Sequence, residues 1–119
     1  MDSVSFANKI ASFLEDKKGK EIELINIKEI SALTDCFVIC SGTSNVHVRA
    51  LADEVQGKLM KDGIRPLTTC GYKSAEWILL DYGQVLVHIF STEARAFYNI
   101  ERLWADGLRT RVVERPIAT

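Results

Sequence analysis

The sequence lacks the features that define several large classes of protein. No apolar run approaches the roughly 18 residues that a membrane-spanning helix requires, and the 119 residues include only two prolines. Positive charge is not in excess either, since 15 lysines and arginines stand against 16 aspartates and glutamates. Proteins that grip nucleic acid through its phosphates usually carry a basic surplus. The composition therefore argues against a membrane protein and against direct, sequence-specific nucleic-acid binding.

Cysteine is also scarce, with three residues in all. That number is odd, and residues 1–10 carry an acidic side chain and helical periodicity instead of a secretory signal. We therefore expect free thiols and a cytoplasmic location. Cys36 and Cys40 are separated by about 13 Å at the rise of a strand, so they can neither pair nor share a metal ion. We interpret both as small core residues.

Hydrophobic periodicity indicates one domain with a real core. Apolar residues recur at helical spacing over 3–17 and again after Ser44, whereas the continuous apolar run at 36–40 is typical of a strand buried on both faces. Further strands are predicted at 21–27 and 65–70.

The predicted order of elements is α-β-β-α-β-β-β-α. It predicts an α/β (mixed α+β) fold with a central mixed β-sheet of about five strands flanked by three helices. In this arrangement the strand at 36–40, its following helix and the next strand form a parallel unit. We place the domain at residues 1–107 and a C-terminal tail at 108–119.

A hairpin is predicted over residues 77–90. A turn centred on Tyr82 and Gly83 would pair Leu80 with Val85 and Trp77 with His88. The pleat then places only aliphatic residues on one face: Ile78, Leu80, Val85, Val87 and Ile89. The other face mixes apolar and polar side chains: Trp77, Leu79, Asp81, Gln84, Leu86, His88 and Phe90. Such a face is either partly wet or pressed against a polar partner.

The last helix is predicted to begin near Ser91 and to end at Asp106 and Gly107. Its apolar stripe would contain Ala96, Phe97, Ile100, Leu103 and Trp104. Arg95 and Tyr98 fall on the polar face. That face is either simply solvated or an extension of the binding surface on the hairpin.

Trp77 and Asp81 each allow two interpretations. Trp77 is either a core residue whose indole N–H meets a carbonyl or the anchor of an interface. Asp81 either starts the turn or, together with Glu76, meets basic groups on a partner, which would speed encounter more than it would add affinity.

Two motifs suggest chemistry at first sight. His88 suggests a metal or catalytic role, but no second ligand stands at suitable spacing, so we favour a structural role. The segment 41–44 before a helix resembles a phosphate cradle, yet it has one glycine and no lysine, and a helix N-cap is the better interpretation.

Two segments carry a resemblance to a known family. DCFVICSGTSNVHVRALADEV (35–55) and AEWILLDYGQVLVHIF with FYNIERLW (75–90 and 97–104) resemble the ribosomal silencing factor family, also called the Iojap family. The resemblance covers about residues 3–104. It implies a fold similar to the nucleotidyltransferase domain.

The resemblance also implies a function and partners. Members bind large-subunit protein fourteen of the ribosome and sterically block subunit joining, so translation falls when nutrients are scarce, and they commonly form homodimers. We therefore expect a translational repressor that binds the large ribosomal subunit, with no catalytic residue, cofactor or metal. The candidate partner-binding residues are Glu76, Trp77, Leu79, Asp81, Tyr82, His88, Arg95 and Tyr98.

Two alternatives stay open. One is a nucleotide-binding or nucleotidyltransferase-type enzyme, which the fold analogy alone supports. Such enzymes hold magnesium with two carboxylates one residue apart on a strand, and the residues two positions from Asp81 are Leu79 and Gly83. The other is a dimer whose own interface is the mixed face of the hairpin.

Overall fold

The computed structural model describes residues 2–100 and the backbone of residues 108–111. This part of the chain forms, in order, α1 (Ser3–Asp16), β1 (Lys20–Asn26), β2 (Cys36–Gly42), α2 (Asn45–Lys61), β3 (Thr68–Cys70), β4 (Trp77–Asp81), β5 (Val85–Ser91), α3 (Thr92–Tyr98) and β6 (Leu108–Arg111). The predicted mixed α+β architecture, a central sheet with three helices, is confirmed.

The strands form one mixed sheet in the order β3-β4-β5-β2-β1-β6. The β2–β5 pair is parallel, and the other neighbouring pairs are antiparallel. The predicted parallel unit exists, but its strands are not neighbours. Successive antiparallel pairs turn β3 to run in the same direction as β2, and β3 lies at the edge while β4 and β5 fill the space between them. A sheet of this kind is held by contacts far apart in sequence, which local patterns do not report.

The main core lies between one face of the sheet and the helices α1 and α2. It contains Ile10, Leu14 and Leu51 from the helices and Ile78 and Val87 from the hairpin, all with no exposed surface. Strand β2 is buried along its whole length, as the apolar run predicts. Cys36 and Cys40 belong to this core, and burial raises the pKa of the Cys40 thiol to about 12. Both are the small core residues that we expected.

The ends of α2 follow from its sequence. Ser44 is the N-cap, and its side chain accepts a hydrogen bond from the His47 N–H at 3.1 Å. At the other end Gly63 has φ +77°, and the N–H groups of Gly63 and Ile64 donate to the carbonyls of Met60 and Leu59 at 2.9 Å. This is a Schellman ending, in which glycine takes the left-handed position. The N-cap interpretation of the segment 41–44 is confirmed.

The hairpin differs from its predicted register by two residues. Trp77 pairs with Phe90 instead of His88, and Leu80 pairs with Val87 instead of Val85. The cause lies in the turn. Gly83 has φ +85°, and its N–H donates a hydrogen bond to the Asp81 carboxylate at 2.8 Å. The two turn residues are therefore Gly83 and Gln84. Because side chains alternate with a period of two, a shift of two leaves both faces as predicted.

The last predicted helix is interrupted at Asn99 and faces the sheet differently from the prediction. α3 ends at Tyr98 because Asn99 adopts the left-handed conformation, with φ 45° and ψ 53°. α3 packs on the sheet through Ala94 and Arg95, which are buried, so Ala96 and Phe97 of the predicted stripe are exposed. Leu103, Trp104 and the predicted end at 106–107 lie outside the described residues.

The predicted tail contains an edge strand. Residues 108–111 form β6, which pairs antiparallel with β1 and places Leu108 opposite Asn26. The sheet in the described part of the chain therefore has six strands where about five were predicted.

Candidate partner-binding surface

The outer face of the hairpin presents a mixed surface. Trp77, Leu79, Asp81 and Leu86 are half-buried and lie on the side of the sheet opposite α1 and α2, and we call these four side chains the hairpin patch. Exposed Glu76 precedes β4 at its border. The pleat brings these residues together, as the alternation of the sequence predicts.

The Trp77 indole is held in a defined orientation. Its Nε1–H donates a hydrogen bond to Nδ1 of His88 at 3.1 Å. Its ring centroid lies 4.9 Å from that of Phe90 and 4.8 Å from that of Tyr98. The indole is supported from within, and its N–H meets a histidine nitrogen instead of the expected carbonyl. It still keeps accessible surface, and its role as an interface anchor stays a prediction.

His88 supports the patch from below. It is 5% exposed, and its ring lies edge-on to Phe37 with the centroids 4.7 Å apart. Burial lowers its pKa to about 4, so the imidazole is neutral at neutral pH. His88 was a candidate for direct contact with a partner, but the structure places its side chain beneath Trp77.

Tyr82 also points away from the patch. The two-residue turn puts it on the core face of the hairpin, where its ring meets Phe6 edge-on with the centroids 5.8 Å apart. Burial raises the pKa of its hydroxyl to about 12. Tyr82 was a candidate contact residue and one of the two residues of the predicted turn, but the turn lies one residue later.

Arg95 is buried in a network that ties α3 to the sheet. Its guanidinium donates to the Glu21 carbonyl at 2.6 Å and to the Ser41 hydroxyl at 3.0 Å, and it lies 3.3 Å from the Glu23 carboxylate. Its prediction as a polar, outward residue is wrong, because acceptors on β1 and β2 draw the guanidinium against the sheet. Arg95 is an internal anchor of α3.

The short helix α3 extends the surface beyond the hairpin. Tyr98 is 45% exposed and touches Trp77, and Phe97 is 81% exposed with its ring 5.0 Å from that of Tyr98. A cleft of about 540 Å³ adjoins them and is also lined by Glu76 and Glu93. Periodicity assigned Phe97 to the apolar stripe of the last helix. Periodicity does not show that the helix packs through Ala94 and Arg95 and leaves Phe97 outside.

The described residues contain no group of three or more histidine, cysteine, aspartate or glutamate side chains that could hold a metal ion. None of the helices described is both long enough and apolar enough to cross a bilayer.

Comparison with known proteins assigns the family. The family model "Ribosomal silencing factor during starvation" matches residues 1–118. Two similar relatives are the proteins named ribosomal silencing factor RsfS from Halalkalibacterium halodurans and Bacillus subtilis. The first is 41% identical, and the match covers 79% of this chain and 80% of the relative. The second is 35% identical, and the match covers 90% of this chain and 91% of the relative.

A solved structure agrees. A crystal structure of a Chromobacterium violaceum protein superposes with a TM-score of 0.85 at 35% identity and covers 88% of each chain. The chain belongs to the ribosomal silencing factor family. Membership makes it a ribosome-associated regulator of translation, and the resemblance found in the sequence is confirmed.

Proposed function

We propose that the protein binds the large ribosomal subunit in the cytoplasm through the hairpin patch and Tyr98. The proposed contact is large-subunit protein fourteen, and the bound protein sterically prevents the small subunit from joining when nutrients are limiting. No bond is made or broken in this mechanism, and no cofactor is needed.

The observation that carries the proposal is the state of Trp77. A half-buried indole fixed by His88, Phe90 and Tyr98 has lost most of its freedom before any partner arrives. Rigid aromatic side chains of this kind dominate binding energy, because little conformational entropy remains to be lost on association. Leu79 and Leu86 add apolar area around it.

Charge supplies the second element of the proposal. Asp81 and Glu76 border the apolar centre of the patch, and an acidic rim around an anchor favours a partner with a basic surface. Such a rim steers encounter and selects orientation more than it raises affinity.

The proposal is tested by sedimentation with purified large subunits. The wild-type protein is expected to pellet with the subunit, and Trp77→Ala combined with Asp81→Arg is expected to weaken the affinity at least about 30-fold, since truncating an interface anchor costs about 2 kcal/mol or more. In the same series, excess wild-type protein should reduce the joining of small and large subunits on a sucrose gradient.

A matched control separates this effect from general damage. Met60→Ala with Glu15→Arg also truncates an apolar side chain to alanine and replaces a carboxylate by arginine, but at exposed positions of α2 and α1 on the other side of the sheet. It should bind like the wild type. Equal loss with both double variants, or no association of the wild type at moderate salt, would overturn the proposal.

In the free state we propose a homodimer that uses the same patch. Support comes from the exposed aromatic pair Phe97 and Tyr98 beside Trp77, since apolar surface of this kind is usually covered by a partner. Sedimentation velocity across a range of concentrations should show a dimer that Trp77→Ala weakens. A monomer at every concentration would contradict it.

A further inference from the structure

His88 is an unexpected residue at its position. It is more than nine-tenths buried among the rings of Phe37, Trp77 and Phe90. Its Nε2 atom is buried and meets no hydrogen-bond partner among the described residues. A buried polar atom without a partner is unfavourable, and an apolar side chain would fill this space without that penalty. The imidazole therefore needs an explanation other than packing.

The hydrogen bond at the other ring nitrogen, Nδ1, supplies an explanation for the imidazole. Nδ1 of His88 lies 3.1 Å from Nε1 of Trp77. An indole nitrogen can only donate a hydrogen bond, so Nδ1 must accept it and the ring proton must stand on Nε2. The structure thus defines the tautomer, and burial of the ring keeps it neutral.

This bond determines which edge of the indole faces inward. Phe90 stacks on the ring of Trp77 and Tyr98 lies tilted against it, and ring contacts of these kinds tolerate sliding and rotation. A hydrogen bond to one ring atom does not tolerate rotation of the ring, because it depends on direction. Only His88 among these neighbours gives Trp77 a directional contact of this kind.

We propose that His88 is a positioning residue which, as the Nε2–H tautomer, holds the Trp77 indole in the orientation that the hairpin patch presents to its partner. The inference rests on the proposed function for the partner and on the hydrogen bond for the orientation. His88 itself does not touch the partner.

The test uses a pair of variants with the same branching of heavy atoms, leucine and asparagine. Only His88→Asn places an acceptor oxygen near the position of Nδ1. Both variants lose the ring and its contact with Phe37, so that loss cancels in the comparison. Trp104→Phe is introduced throughout, so that Trp77 is the one indole observed.

The first measurement needs no partner. In ¹H–¹⁵N spectra of the wild type, His88 should carry its proton on Nε2, and the Trp77 indole N–H should exchange slowly with solvent. Slow exchange should persist in His88→Asn and disappear in His88→Leu. A proton on Nδ1 of wild-type His88, or equal exchange in the two variants, would overturn the inference.

The second measurement sets binding against stability. His88→Leu should be at least as stable to urea as His88→Asn, because the site is apolar. It should nevertheless bind the large subunit about tenfold more weakly than His88→Asn, since the indole is no longer held. If affinity merely follows stability, His88 is a packing residue and the proposal is wrong.

The two measurements also separate this inference from the proposed function. If the wild type does not bind the large subunit, the proposed function fails, and the statement about presentation to a partner fails with it. The exchange data would then still decide whether His88 orients the indole. If the wild type binds and the two variants bind equally, the proposed function stands and the positioning role is lost.

Discussion

His88 and Arg95 are both buried, and each meets the penalty of burial in a different way. His88 stays neutral because burial lowers its pKa to about 4. Arg95 cannot give up its proton in a protein, so it is surrounded by acceptors: the Glu21 carbonyl, the Ser41 hydroxyl and the Glu23 carboxylate. One residue supports the patch from below, and the other fixes the helix at its border.

The lowered pKa of His88 predicts how stability depends on pH. Between pH 6.5 and about 4 the unfolded chain protonates this histidine while the folded protein does not. Above pH 6.5 the ionisation of His88 therefore does not affect the free energy of unfolding. As the pH falls towards 4, this free energy decreases by roughly 3 kcal/mol in all. Urea unfolding of the wild type and of His88→Leu across this range measures it.

The difference between the two proteins is the relevant quantity, since carboxylates that titrate in the same range contribute to both. The free energy of unfolding of His88→Leu should fall less steeply with decreasing pH. Parallel curves would mean that His88 is protonated in the folded protein or is accessible to solvent.

At the scale of elements, α3 depends on Arg95. The helix has only seven residues, too few to be stable alone. Arg95→Ala should lower the free energy of unfolding by about 3 kcal/mol, because it removes the buried contacts of the guanidinium with the Glu21 carbonyl, the Ser41 hydroxyl and the Glu23 carboxylate. Glu93→Ala on the exposed side of the same helix should change it by less than about 0.5 kcal/mol. Chemical denaturation of both variants is the test, and equal effects would remove the anchoring role from Arg95.

The segment before β4 depends on a glycine. Gly71 has φ +82°, and a Cβ there would lie 2.0 Å from the Trp77 carbonyl oxygen. Gly71→Ala should therefore destabilise the fold by more than about 1 kcal/mol and displace the backbone at Trp77. Gly57→Ala is the matched control. It lies in α2, a Cβ there meets nothing within 4 Å, and it should stabilise by about 0.5–1 kcal/mol. Thermal unfolding of the two variants should give shifts of opposite sign.

At the scale of the whole molecule, the sequence predicts the faces of the sheet better than its connections. The alternation of residues 77–90 correctly separates the core face from the mixed face even though the register is shifted by two. Facing depends only on the period of the pleat, whereas register depends on how Asp81 and Gly83 build the turn. Two features were beyond local patterns. Asn99 breaks α3 through one backbone conformation, and β5 pairs in parallel with β2, a strand from a distant part of the sequence.

For the candidate site too, the sequence predicted which residues share a face but not which of them are buried by distant segments. Trp77, Leu79 and Asp81 share the accessible face because alternation requires it. Tyr82, His88 and Arg95 were grouped with them from the sequence, and the structure buries all three. For each, burial follows from a contact between distant segments, such as Phe6 with Tyr82 or Glu23 with Arg95. Whether the patch meets the ribosome remains a prediction.

The placement of α1 and α2 on one side of the sheet has an evolutionary consequence. Substitutions beneath those two helices are constrained by the need to fold, while substitutions on the hairpin patch are constrained, under the proposed function, by the shape of the partner. Binding specificity can therefore change during evolution without a change of fold. Residues on the two sides of the sheet should then be substituted at different rates.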